Sequence, residues 1–144
     1  MTTIEQHDAV EALLHSTLAA HKSMFLATAG ADGSWVSGVY FAEDGPNALV
    51  LVLEERGRTL KAIKENPEVA LVVSTGSPME PFLQARGTAV VVEGAEDEAA
   101  RQRLVAKVPE VGPFLATPIR TVRIDVPRWR VTDIPNGWLP GKEF

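Results

Sequence analysis

Residues 48–67, ALVLVLEERGRTLKAIKENP, decide how this chain is read. The run Leu49-Val50-Leu51-Val52-Leu53 is too short to cross a membrane and β-branched enough for a buried strand. Glu54-Glu55-Arg56-Gly57-Arg58 then turns the chain into Thr59-Leu60-Lys61-Ala62-Ile63-Lys64, whose apolar spacing predicts a short helix. Asn66-Pro67 ends that helix, because proline drives the residue before it out of the helical region. A strand feeding a basic, hydroxyl-bearing turn at a helix start is a seat for a phosphate. Free backbone N–H groups and the positive end of the helix dipole meet there, and Arg58, Thr59 and Lys61 add donors. The competing reading is a strand-to-helix corner with solvated charges.

The chain has 144 residues, which suits one domain spanning 1–144. Apolar content is 45%, and no segment approaches the ~18 uninterrupted apolar residues of a span. The opening MTTIEQHDAVEALL lacks the basic flank and apolar block of a secretory signal. There are no cysteines, which removes disulfides, thiolate metal sites and cysteine nucleophiles together and fits a cytoplasmic protein. A net charge of −5 argues against general nucleic-acid binding but is compatible with a small anionic ligand, which needs only local positive charge.

Thr2 and Glu5 form a capping-box pattern that opens a helix from about Ile4 to Ala20, with Ile4, Val10, Leu13, Leu14 and Leu18 as its apolar face. His7, His15 and His21 do not repeat at helical spacing, so no metal pair is expected. Two strand-like runs flank Asp32-Gly33, a strong hairpin signal. With the turn Asp44-Gly45-Pro46-Asn47, this predicts a three-stranded meander over about 24–30, 34–42 and 48–54. Further strands are expected at 68–74, 82–93 and 119–126, the last broken by Pro127 and resumed over Trp129–Thr132. A third helix is expected over 95–108, acids first and bases last. The tail IPNGWLPGKEF, rich in proline and glycine, reads as irregular. Helices after the third and fifth strands do not alternate as βαβ units would. The class is therefore α+β and mainly β, an antiparallel sheet of six to seven strands curled into a barrel.

FLATAGADGSWVSGVYF, the buried strand, RGRTLKAIKENPEVALVV and FLQARGTAVVV together resemble the pyridoxamine 5′-phosphate oxidase-like split β-barrel proteins that bind flavin. The likeness runs from about Met24 to Val131. Its most telling parts are the helix–Asn-Pro–Glu-Val-Ala-Leu-Val unit and Gln84-Ala85-Arg86-Gly87. The resemblance implies a homodimer with FMN in grooves between subunits. It places the flavin phosphate at Arg58, Thr59 and Lys61, with Gly57 as the point of close backbone approach. It runs Val36, Ser37, Gly38 and Val39 beside the isoalloxazine ring and brings Gln84 to the flavin across the dimer groove. The family turn often reads Ser-Arg-Lys, whereas here it is Gly57-Arg58-Thr59 with the lysine displaced to Lys61. The extended C-terminal region that closes over pyridoxamine phosphate is not matched, so another small-molecule substrate is expected.

Trp138, in the tail, is the candidate for a substrate-side lid. No catalytic side chain is assigned, because in a flavoprotein the cofactor carries the redox step. Three other readings stay open. They are the deazaflavin coenzyme F-420 in place of FMN, with Arg56, Lys64 and Arg86 near its tail; a carrier or sensor of flavin or of haem, with His21 as the axial candidate; and a dimer without a cofactor.

Overall fold

The runs rich in leucine and β-branched residues do form strands, and every ladder between them is antiparallel. The computed structural model describes residues 3–144. Helix α1 spans Thr3–Ala20; the capping box involves Thr2, which lies outside the described residues. The strands are β1 (Ser23–Gly30), β2 (Gly33–Tyr40), β3 (Ala42–Glu43) and β4 (Ala48–Glu54). Then come α2 (Arg58–Glu65), β5 (Glu68–Val73), β6 (Phe82–Val92) and α3 (Gly94–Lys107). A 3-10 segment, Pro109–Ala116, precedes β7 (Ile119–Asp125), β8 (Trp129–Asp133) and β9 (Trp138–Glu143). Together the strands make one nine-stranded curled sheet in the order β2-β1-β5-β6-β7-β4-β3, with β8 on β6 and β9 on β8.

Strand β4 explains its own composition. Leu49, Leu51 and Leu53 enter the main core with Leu26, Phe41, Leu60 and Trp129. Val50, from the opposite face, packs with Ala42 against Ala100 and Leu104 of α3. Burial on both faces requires an unbroken apolar run, and each such side chain contributes about 1.5–3 kcal/mol. Helix α2 buries Leu60, Ala62 and Ile63. It stops at Asn66, whose amide donates to Ala29 O at 3.0 Å and whose Oδ1 accepts from Glu68 N at 3.1 Å. On α1, Val10, Leu14 and Leu18 are buried, whereas Ile4 is exposed and does not belong to the apolar face.

Two expectations are corrected. The predicted meander does not form, because β4 pairs along its length with β7 and at one end with β3, not with β2. Hydrophobic alternation fixes which way a strand faces, not which strand lies beside it. The tail is ordered rather than irregular. It forms β9, paired with β8, and Trp138 is only 8% exposed within the main core, which is not the placement of a surface lid. Proline and glycine are tolerated there because β9 pairs on one side only.

Strand β6 pairs on one side with β5 and on the other with β8 and then β7, so the break at Pro127 divides two segments laid along one strand. Gly87 makes that crossing close: a Cβ there would stand 2.7 Å from both Asp125 O and Ile124 Cγ2. Gly87→Ala is expected to cost about 1–3 kcal/mol by forcing backbone apart. Gly38→Ala, where a Cβ meets nothing within 4 Å, should be close to neutral. Urea unfolding of both variants checks the pair, and equal midpoints would count against the close crossing.

Candidate functional site

Strands β2 and β3 are separated by Phe41 alone, yet β2 stays with β1 while β3 goes to β4. One run of residues therefore carries both ends of the sheet, and a seam opens between β2 and β4. A cavity of about 750 Å³ occupies this seam. Ser37–Tyr40 of β2 and Val52–Glu54 of β4 form two walls, and Gly57, Thr59 and Leu60 at the start of α2 form the third. The volume falls in the range of small-molecule and cofactor pockets.

The α2 end of the cavity holds an open helix start. Gly57 caps the helix without a side-chain acceptor, and the first turn contains no acid. Leading N–H groups of a helix have no partner within it, and the dipole makes this end positive. The hydroxyls of Ser37 and Thr59 meet at 2.7 Å, joining β2 to α2 on the cavity wall.

Arg58 and Lys61 add cations where the dipole alone disfavours them. Their company comes from the β1–β2 turn. The Arg58 guanidinium lies 4.1 Å from the Trp35 ring centroid and donates to Asp32 O at 3.4 Å. Lys61 Nζ is 3.3 Å from Asp32 Oδ2. That exposed pair contributes little to stability. Both cations stand beside the β1–β2 turn.

The model of the family described as pyridoxamine 5′-phosphate oxidase matches residues 7–133. The chain belongs to that family. Among functionally curated proteins no relative matches. Solved structures share the split-barrel fold. ChuZ from Campylobacter jejuni superposes with a TM-score of 0.80 at 16% identity, covering 95% of this chain and 59% of that one. A haem-binding protein from Mycobacterium smegmatis gives 0.76 at 20% identity, covering 93% and 57%. HutZ, the haem storage protein from Vibrio cholerae, gives 0.69 at 16% identity, covering 81% and 89%. This chain thus spans less than two thirds of the first two, and at these identities the likeness is one of fold.

Of the residues to which the pyridoxamine 5′-phosphate oxidase family resemblance points, Ser37, Gly38, Val39, Gly57 and Thr59 line the seam cavity. Arg58 and Lys61 stand at the same helix end but engage the hairpin turn. Val36 is 63% exposed and does not line the cavity. Gln84 lines a second hollow, with Arg86 and Arg130. Among the described residues no helix is long and apolar enough to cross a membrane, and no group of three His, Cys, Asp or Glu side chains is placed to hold a metal.

Sequence reasoning missed one wall of the seam cavity, formed by Val111, Phe114, Thr117, Pro118 and Ile119. The stretch PEVGPFLA has neither helical nor strand periodicity and reads only as a loose helix end. Its single signal is Phe114, a large aromatic left half exposed in a Pro/Gly-rich turn. Arg101 of α3 holds the wall, donating to Leu115 O at 3.4 Å and Ile119 O at 3.5 Å. Arg101 is itself held by Asp97 Oδ1 at 2.8 Å and Thr121 Oγ1 at 3.1 Å, and the Thr121 hydroxyl also donates to Asp97.

The Thr121 hydroxyl, then Arg101, hold the Asp97 carboxyl below its ordinary value against the opposing effect of burial. A carboxyl lowered in the folded state stabilises fully above its unfolded value, and that contribution fades as pH falls through the folded one. Asp97→Asn should therefore be less stable than the parent at neutral pH, with the gap closing as acidity rises past the carboxylate range. Urea midpoints measured from neutral to acid pH check this. A gap independent of pH would show that the Asp97 charge is not what matters.

Proposed function

We propose that this chain is an FMN-binding oxidoreductase acting as a homodimer on a small-molecule partner. The observation that carries the reading is the meeting, in one cofactor-sized cavity, of the uncapped start of α2 with the Ser37–Thr59 hydroxyl pair. A phosphate monoester there would accept from both hydroxyls and from first-turn amides. Arg58 and Lys61 would supply the surrounding positive field. Val39, Val111 and Phe114 offer the apolar walls that a flat ring system needs. The flavin, when bound, supplies the electron chemistry, and the protein binds, orients and shields.

The dimer is supported by an unpartnered apolar face. Phe25 lies opposite Gly38 on the β1–β2 ladder, between exposed Val36 and Tyr40. Ala27, Ala70 and Val72 continue the patch in register. Apolar surface of that kind marks an interaction site. A second copy over this face would bring Gln84 toward a neighbouring cavity, the role the resemblance implies.

Two of the similar structures are haem proteins by name, which favours haem as a second reading. Against it, no described histidine lines the seam cavity. His21 Nδ1 donates to Thr17 O at 2.8 Å, His7 stacks on Phe144, and His15 pairs with Glu11. F-420 remains the alternative within the same site, with Arg56 on the cavity wall to meet its anionic tail.

Titration of the purified chain with FMN, F-420 and haem, read by absorbance and native mass, tests the reading. FMN is expected to bind saturably to a dimer, and Thr59→Val to weaken it about ten- to hundredfold, as loss of a hydrogen bond to a charged group would. Equal FMN retention by an Arg58→Ala, Lys61→Ala variant and its parent would end the phosphate assignment. A monomer in solution would end the dimer.

A further inference from the structure

On the cavity wall formed by the 3-10 segment, Phe114 is 53% exposed, whereas Val111, one turn earlier, is 2% exposed. The two face the cavity from different depths. Val111 floors it, and Phe114 stands at the rim, where a second molecule meeting a bound ring must enter.

That rim is held in place. The backbone N–H and the hydroxyl of Thr117 both donate to Phe114 O, at 3.0 and 2.5 Å. Pro118 O accepts from Glu55 N at 2.9 Å, which ties the wall to the corner between β4 and α2. Arg101 holds Leu115 O and Ile119 O, so four carbonyls of this short wall are engaged. Pro113 and Pro118 bracket the aromatic residue and fix their own φ angles. A side chain mounted this way needs little ordering when a ligand arrives.

Charge is spread unevenly over the cavity. Among the described residues its charged lining side chains are Glu54 and Arg56, both at the β4–α2 corner. The 3-10 wall contributes none. Arg101, behind that wall, is turned into the protein: Nε engages Asp97 and Thr121, and Nη1 and Nη2 engage the two carbonyls. Each nitrogen of the guanidinium thus has an acceptor, and none is left to meet an anion. An ionised group pressed against this wall would lose water and gain no partner. An uncharged ring would lose only apolar hydration and gain an aromatic contact with Phe114.

We propose that the molecule meeting the cofactor at this wall is an uncharged planar compound, and that Phe114 is the residue that selects it. The inference rests on the oxidoreductase reading for there being a second molecule, but not on whether FMN or F-420 fills the rest of the cavity. Polarity sorts the two occupants. The anionic one is drawn to the start of α2, and the neutral one to the 3-10 wall.

Calorimetric titration of the full chain, with and without saturating FMN, tests the assignment. The probes are coumarin, a neutral fused ring, and coumarin carboxylate, its anionic analogue. Coumarin is expected to bind the FMN-loaded chain at least about tenfold more tightly than the carboxylate. Phe114→Ala should weaken coumarin about three- to tenfold, the range of an aromatic contact, and Phe114→Lys should invert the preference between the probes. Phe114 is half exposed, and thermal melts followed by circular dichroism check that both variants fold. No coumarin binding, equal binding of the two probes by the parent, or a probe ratio unmoved by either substitution would overturn the proposal. Titration of the same samples with FMN separates the two failures. FMN bound without a preference between probes sinks the role of Phe114 alone, whereas a preference kept without FMN binding sinks the flavin and leaves the wall.

Discussion

Everything in this molecule is referred to strand β4, which is buried on both faces at once. Leu49, Leu51 and Leu53 belong to the barrel core and Val50 to the packing under α3. Full-length pairing with β7 then removes the strand's remaining freedom. A strand so confined delivers its end to one place. Helix α2 therefore starts at a fixed point, anchored within three residues of its first turn by fully buried Leu60. The geometry of the candidate site follows from that anchoring more than from any polar contact inside it.

The seam itself comes from a division of labour within residues 33–43. The first part is committed to β1 and the last two residues to β4, so the sheet is tied at the far end of a gap rather than zipped shut. Backbone groups along an unpaired strand edge must find partners elsewhere. In this chain the gap is bounded by side chains of α2 and by the 3-10 segment that Arg101 holds. Cations at the helix start are held from outside by the hairpin turn, and hydroxyls face inward. Charge and hydrogen-bond donors are thus supplied from different elements.

Much of this was legible in the sequence. The two-faced apolar run, the Asp32-Gly33 hairpin and the stop at Asn66-Pro67 each carry a local physical cause, and each element stands where that cause puts it. Five of the nine cofactor-binding candidates line the cavity because they belong to those elements. The failures share another cause. Pairing β4 with β7 instead of β2 is a long-range choice that alternation does not encode. The ordering of β9 and the burial of Trp138 depend on an exposed edge of β8 that no local pattern announces. The wall around Phe114 has no periodicity at all and is held by an arginine far from it in sequence.

The long wait between β4 and its partner β7 bears on how the chain is made. During synthesis β4 leaves the ribosome as a bare string of leucine and valine, and the whole of β5, β6 and α3 must emerge before β7 can cover its edge. Helix α2, next in line, can fold back at once and shelter one side through Leu60 and Ile63. In a nascent chain, the helix that bounds the seam cavity would thus also serve as the first guard against sticking to a neighbour.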